Sequence, residues 1–133
     1  MSAPILRPDL AVIAAQVPGR ARVLDVGCGD GTLMAALRDT KATDVRGLEI
    51  GPANVSAAME RGLAVVQGDA DRDLADYPDD SFDIAILSQT LQTSHRPDRI
   101  IEQLLRIAPR AFVSFPNFAH WRVRLALLWG GRM

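Results

Sequence analysis

Residues 25 to 31, Asp-Val-Gly-Cys-Gly-Asp-Gly, set two carboxylates and a thiol among three alternating glycines. Glycine lacks a Cβ, so Gly27, Gly29 and Gly31 allow left-handed backbone angles and let a ligand come within contact distance of the main chain. Two further acids stand apart from this run: Glu49, 18 residues beyond Gly31, and Asp69 in Gly-Asp-Ala-Asp. The first spacing is near that at which an acid accepts both hydroxyls of an adenosine ribose. The competing reading of Glu49 is a solvated acid at a strand end. For Asp69 it is an Asx turn.

The glycine spacing narrows the ligand. A dinucleotide turn requires Gly-x-Gly-x-x-Gly, which brings a helix N-terminus to the pyrophosphate. Here Thr32 follows Gly31, and the run is Asp-x-Gly-x-Gly-x-Gly. Asp30 adds a carboxylate at the loop mouth, which repels a pyrophosphate and suits a ligand carrying positive charge. S-adenosylmethionine, with its sulfonium and ammonium groups, fits these constraints. The alternative is a glycine-rich turn that only packs a strand against a helix.

Cys28 is the only cysteine, which excludes an internal disulfide and a cysteine-based metal site. A lone thiol suits a reducing, cytoplasmic compartment. As a nucleophile it would need a nearby base or a lowered pKa, and His95 and His120 are distant in sequence, so Cys28 is read as a small residue filling the turn. The net charge of -1 argues against a nucleic-acid binder driven by phosphate contacts. Charge is nevertheless uneven, with 14 acidic and 8 basic side chains over 1–94 but 2 and 7 over 95–133, an asymmetry that can mark a partner surface. No apolar run approaches the roughly 20 residues of a membrane span and no stretch reads as a signal peptide, so no membrane association is expected.

A length of 133 residues suits one domain with one core. Apolar periodicity and Pro or Gly punctuation predict a helix from about residue 9 to 17, a lid or brace, then strands over 22–26, 44–50, 63–67, 82–87 and 111–115. Helices are expected after the glycines, where Leu33, Met34 and Leu37 recur, from Pro52 to a C′ residue at Gly62, and from Pro97 onward. The acid-rich stretch 71–81 reads as a solvated loop or short helix. Alternation of strands and helices implies an α/β fold with a doubly wound, mostly parallel sheet. In such sheets ligands sit beyond the carboxyl ends of the strands, and Gly27 to Gly31, Glu49, Asp69 and 88–92 all follow strand ends.

These residues together resemble the Rossmann-like class I S-adenosylmethionine-dependent methyltransferase fold over residues 22–115. The resemblance implies that Asp25, Gly27 and Gly29, with Cys28 between the glycines, surround the methionyl part of the cofactor. It assigns Glu49 to the ribose, Ile50 to the adenine face, Asp69 with the adjacent Ala70 to the adenine edge, and Ser88 and Gln89 to the loop facing the sulfonium. More closely, Gly-Cys-Gly-Asp-Gly, Ile-Leu-Ser-Gln-Thr-Leu-Gln and Ser-Phe-Pro-Asn-Phe-Ala-His-Trp-Arg-Val-Arg resemble the methionine-biosynthesis protein MetW family. That resemblance implies a cytoplasmic, methyltransferase-like protein that binds S-adenosylmethionine or S-adenosylhomocysteine and acts with homoserine O-acetyltransferase. The alternative is an active methyltransferase on a small-molecule acceptor, a reaction that needs mainly positioning from the protein. No Asn/Asp-Pro-Pro-Tyr follows the fourth strand, which disfavours methylation of a base amino group; Gln89, Thr90, Gln92 and His95 are the candidates to orient an acceptor.

The family fold usually closes with two antiparallel strands. This sequence reads instead as five strands and a helix over 117–133, a single domain lacking the last two strands and C-terminally incomplete. Trp121, Leu125, Leu128 and Trp129 share one helical face. Phe112, Phe115, Phe118, Trp121 and Trp129 also cluster beside Arg122 and Arg124, residue types enriched at interface hot spots. The expectation is that this tail and an unpaired edge of the fifth strand meet a second copy, as a homodimer, or the acyltransferase; the competing reading is a core face.

Overall fold

The computed structural model describes residues 8–87, 96–117 and 122–129, with side chains over 10–87 and 96–114. The chain runs α1 (Pro8–Gln16), β1 (Arg22–Val26), α2 (Thr32–Lys41), β2 (Asp44–Glu49), α3 (Pro52–Glu60), β3 (Ala64–Gln67), α4 (Ala70–Asp73), a 3-10 turn (Leu74–Asp76), β4 (Ile84–Leu87), α5 (Pro97–Ile107), β5 (Arg110–Asn117) and β6 (Arg122–Trp129). The sheet order is β3-β2-β1-β4-β5-β6. The first five strands are parallel. The order reverses after β1, which places the glycine loop at the switch point where open α/β sheets take their ligands.

Helices cover both faces, so the central strands are apolar without alternation. All four residues of β4, Ile-Ala-Ile-Leu, are buried. On one face Val23, Ile84, Ile86 and Phe112 meet Ile13 and Val17 before Met34 and Leu37 of α2 complete the cluster. On the other, Leu24, Val26, Ala85 and Leu87 pack against Leu74, Ile100 and Leu104. α1 is thus a brace, not a lid. Phe112 is a core residue with 1% exposure, which removes it from the expected interface cluster. Gly62 takes φ 79° and closes α3 with its N–H on the Met59 carbonyl, the expected C′ role.

The tail departs from expectation. Residues 122–129 are a strand, β6, and not a helix; it pairs antiparallel with β5 from Asn117↔Arg122 to Arg110↔Trp129. A bare β5 edge would leave a row of backbone N–H and C=O groups unpaired. Arg-Val-Arg-Leu over 122–125 also alternates with period two, so the sequence admits both structures and the open edge decides between them. One antiparallel strand therefore follows β5 where none was expected. Among the described residues β6, and not β5, is the outer strand on that side of the sheet. Phe118 and Trp121 lie outside the described residues, as do the side chains of Phe115, Arg122, Arg124 and Trp129, and with them the expected intermolecular contact.

The acid-rich stretch is tied down by a single arginine of α5. Arg106 donates from Nη1 to the Tyr77 carbonyl at 2.7 Å and to Asp79 Oδ1 at 2.7 Å. From Nη2 it reaches the Leu74 carbonyl at 3.0 Å. Hydrogen bonds from a charged donor are the stronger class. Arg106→Ala is expected to lower unfolding stability by about 1 to 3 kcal/mol, read from urea denaturation; an unchanged midpoint would show that water replaces the guanidinium without loss.

Candidate functional site

The cradle forms where β1, β2 and β3 end. β1 turns immediately because the Gly27 N–H donates to the Leu48 carbonyl at 2.7 Å and the Cys28 N–H to the same oxygen at 3.3 Å. Gly27, Gly29 and Gly31 take φ 72°, 59° and 86°, angles that disfavour any side chain. They do different work. A Cβ on Gly31 would collide with Leu63 Cδ1 and lie 3.2 Å from Ala58 Cβ, whereas one on Gly29 would meet none of the described residues within 4 Å. Gly31 thus lets α3 close on the loop, and Gly29 faces open space that a ligand can fill.

Glu49 joins the strand ends. Only 8% exposed, it accepts the Gly29 N–H on Oε1 at 2.9 Å. Its Oε2 accepts the Gly51 N–H at 2.9 Å and Asn54 Nδ2 at 3.3 Å. Its main-chain carbonyl receives the Gly68 N–H at 2.9 Å, which brings in the end of β3. Gly51 is the N-cap of α3, so the carboxylate also sits at the positive end of that helix. Beside it Ile50 is 65% exposed, a large apolar side chain left uncovered at the rim.

Asp25 is buried on β1. Cys28 lies above it, and its thiol is pushed far above the ordinary range by burial first, then by the Asp25, Glu49 and Asp30 carboxylates. Such a thiol stays protonated and is no nucleophile, in keeping with its reading as a turn filler. Room for it comes from Gly47: a Cβ there would stand 2.8 Å from Cys28 Sγ and 2.7 Å from Met34 Sδ.

Asp30 differs from expectation. Its Oδ1 accepts the Thr32 N–H at 3.1 Å and the Thr32 hydroxyl at 2.7 Å, and Arg61 stands 3.7 Å from Oδ2. These contacts, led by the Thr32 hydroxyl, hold its pKa below the usual carboxylate value. It is held against the first residue of α2 and shares its charge with Arg61, so it is engaged within the protein, and Asp25 and Glu49 are the other carboxylates at the loop. Asp69 caps α4, with Oδ1 on the Asp71 N–H at 2.9 Å, and Ala70 is buried behind it. The Asx-type role is therefore realised, using that one oxygen. Ser88, Gln89, Thr90, Gln92 and His95 lie outside the described residues. Among the described residues no group of three His, Cys, Asp or Glu side chains is placed to hold a metal ion, and no helix is long and apolar enough to cross a membrane.

Two residues of the cradle escaped the sequence reading. Gly47 carried a usable signal, because glycine inside a strand often marks close backbone approach. Asn54 carried none until α3 turned it toward Glu49.

Residues 7–133 match the family model described as methionine biosynthesis protein MetW. The chain belongs to the MetW family. It is 35% identical over 127 residues to the bifunctional methionine biosynthesis protein MetXA/MetW of Rhodopirellula baltica, covering 90% of this chain and 20% of that one. It is 36% identical over 107 residues to 27-O-demethylrifamycin SV methyltransferase of Amycolatopsis mediterranei, covering 71% and 38%. The chain thus spans well under half the length of either relative. A solved S-adenosylmethionine-dependent methyltransferase of Thermotoga maritima, described as a possible histamine N-methyltransferase, superposes with a TM-score of 0.69 at 23% identity, over 82% of this chain and 50% of its own. The MetW chain therefore has the class I methyltransferase fold.

The raised Cys28 pKa predicts slow alkylation. Iodoacetamide at pH 8 should react with the native MetW chain at least about tenfold more slowly than with the urea-unfolded chain, because only the thiolate attacks; equal rates, followed by mass spectrometry, would contradict the buried placement.

Proposed function

We propose that this MetW chain binds S-adenosylmethionine or S-adenosylhomocysteine in the cradle and acts in cytoplasmic methionine biosynthesis beside homoserine O-acetyltransferase. The Glu49 arrangement carries the reading. Among the described residues Oε1 accepts one hydrogen bond, from the Gly29 N–H, and a carboxylate oxygen has two acceptor sites, which leaves capacity for a ribose hydroxyl. Ile50, uncovered next to it, offers an apolar face for adenine, with Asp69 and Ala70 at the adenine edge. Asp25, Gly27, Cys28 and Gly29 then line the methionyl end, where the Asp25 and Glu49 carboxylates favour the cationic part of the ligand. Ser88 and Gln89 are assigned to the sulfonium side by family resemblance alone. The bound cofactor supplies an electrophilic methyl group; the chain's residues hold and orient it.

The partnership is supported by the Rhodopirellula relative, whose name joins MetXA and MetW in one protein. A second reading, methyl transfer to a small-molecule acceptor, draws on the Amycolatopsis relative, named a methyltransferase. Calorimetric titration with both cofactor forms, repeated with the acyltransferase present, separates them. Turnover on a small acceptor supports the second reading; tight binding without turnover, coupled to partner affinity, supports the first. Glu49→Ala should weaken cofactor binding by about 1.5 to 3 kcal/mol, the scale for hydrogen bonds to a charged group. No binding by the wild-type chain would overturn the cofactor assignment, and equal affinity in Glu49→Ala would overturn the ribose role.

A further inference from the structure

The Glu49 carboxylate must stand in one orientation to serve the cradle, and its two oxygens are held from opposite sides. Oε1 is fixed by the Gly29 N–H at 2.9 Å, Oε2 by the Gly51 N–H at 2.9 Å and by Asn54 Nδ2 at 3.3 Å. Two of these donors are backbone groups, and Asn54 is the side chain among them. It occupies the third position of α3 after the N-cap Gly51 and the N1 residue Pro52, and that first turn contains no acid of its own. Pro52 has no N–H to offer. The asparagine amide is thus the helix's remaining side-chain donor toward the carboxylate.

We infer that Asn54 is a positioning residue for Glu49: by holding Oε2 against α3 it keeps Oε1 on the Gly29 side, facing the ligand space. The inference rests on the cofactor reading above. Asn54 touches no reacting group in this role and acts through Glu49. Replacing the amide by a carboxylate reverses the interaction, since two ionised carboxylates at hydrogen-bond distance repel and one of them binds a proton more readily. Among the described residues the other groups facing Glu49 are few. Cys28 lies on the loop side with Asp25 and Asp30 nearby, Gln67 is the neutral register partner on β3, and the first turn of α3 adds no acid.

The test is titration of the full chain with S-adenosylhomocysteine between pH 5.5 and 8.5 (roughly the range over which a carboxyl raised by a like-charged neighbour titrates), for wild type, Asn54→Ala and Asn54→Asp. Asn54→Ala should bind about three- to tenfold more weakly, the lower part of the range for a hydrogen bond to a charged group because Asn54 is exposed. Asn54→Asp should bind at least about tenfold more weakly at pH 8, and its deficit relative to wild type should shrink as pH falls and one of the paired carboxyls is protonated. The same repulsion acts in the folded chain without ligand and opposes the favourable placement of an acid in a helix's first turn, so the readout that separates positioning from a merely structural role is the pH dependence of the binding deficit. Affinities within twofold of wild type for both variants, or an Asn54→Asp deficit independent of pH, would overturn the inference while leaving the cofactor reading standing. A wild-type chain that binds no S-adenosylhomocysteine removes both.

Discussion

The carboxylate of Glu49 is the constraint on which the cradle depends. It accepts hydrogen bonds from the glycine loop after β1 and from the start of α3, while its carbonyl accepts one from the end of β3. A buried carboxylate is costly unless its lone pairs are met by donors, and here they come from the loop after β1, far off in sequence, and from the adjoining start of α3, while the residue's main-chain carbonyl takes the Gly68 N–H. Glu49 as a whole residue therefore ties three strand ends together. Their positions define the cradle.

The glycines around it divide into two kinds. Gly31 and Gly47 are where other parts of the protein come too close for a Cβ: Leu63 and Ala58 at the first, Cys28 and Met34 at the second. Gly29 has no such neighbour among the described residues, and it takes a left-handed angle beside Glu49. The Cys28 thiol, sealed between the loop and β2, contributes volume and not reactivity. Close packing transmits such steric demands from β2 to the loop, so a strand residue with no ligand contact governs the shape of the site.

Family membership and fold limit the chemistry without choosing it. A class I methyltransferase sheet positions a cofactor at its switch point, but function lives in the site and not in the fold. The residues after β4, which the family resemblance assigns to the acceptor side, lie beyond the described residues, and the matched relatives are much longer proteins. The cofactor half is accordingly the part whose chemistry can be argued residue by residue.

The sequence by itself determined the strands and helices from α1 to β5, the glycine loop, and the acid at the end of β2, because each is written in local terms: apolar period, Pro and Gly punctuation, and the spacing of a motif along one chain. It also carried the family resemblance. Tertiary structure alone decided the rest. Whether 122–129 became helix or strand depended on the open edge of β5, since the segment fits both periods. Whether Asp30 stood free at the loop mouth or was engaged within the protein depended on Thr32 and Arg61 meeting it. Asn54 entered the site only when α3 turned its amide onto Glu49. Local pattern sets what a segment can form, but unpaired backbone edges and buried charges take partners, near or far in sequence, that come within reach only once the chain has folded.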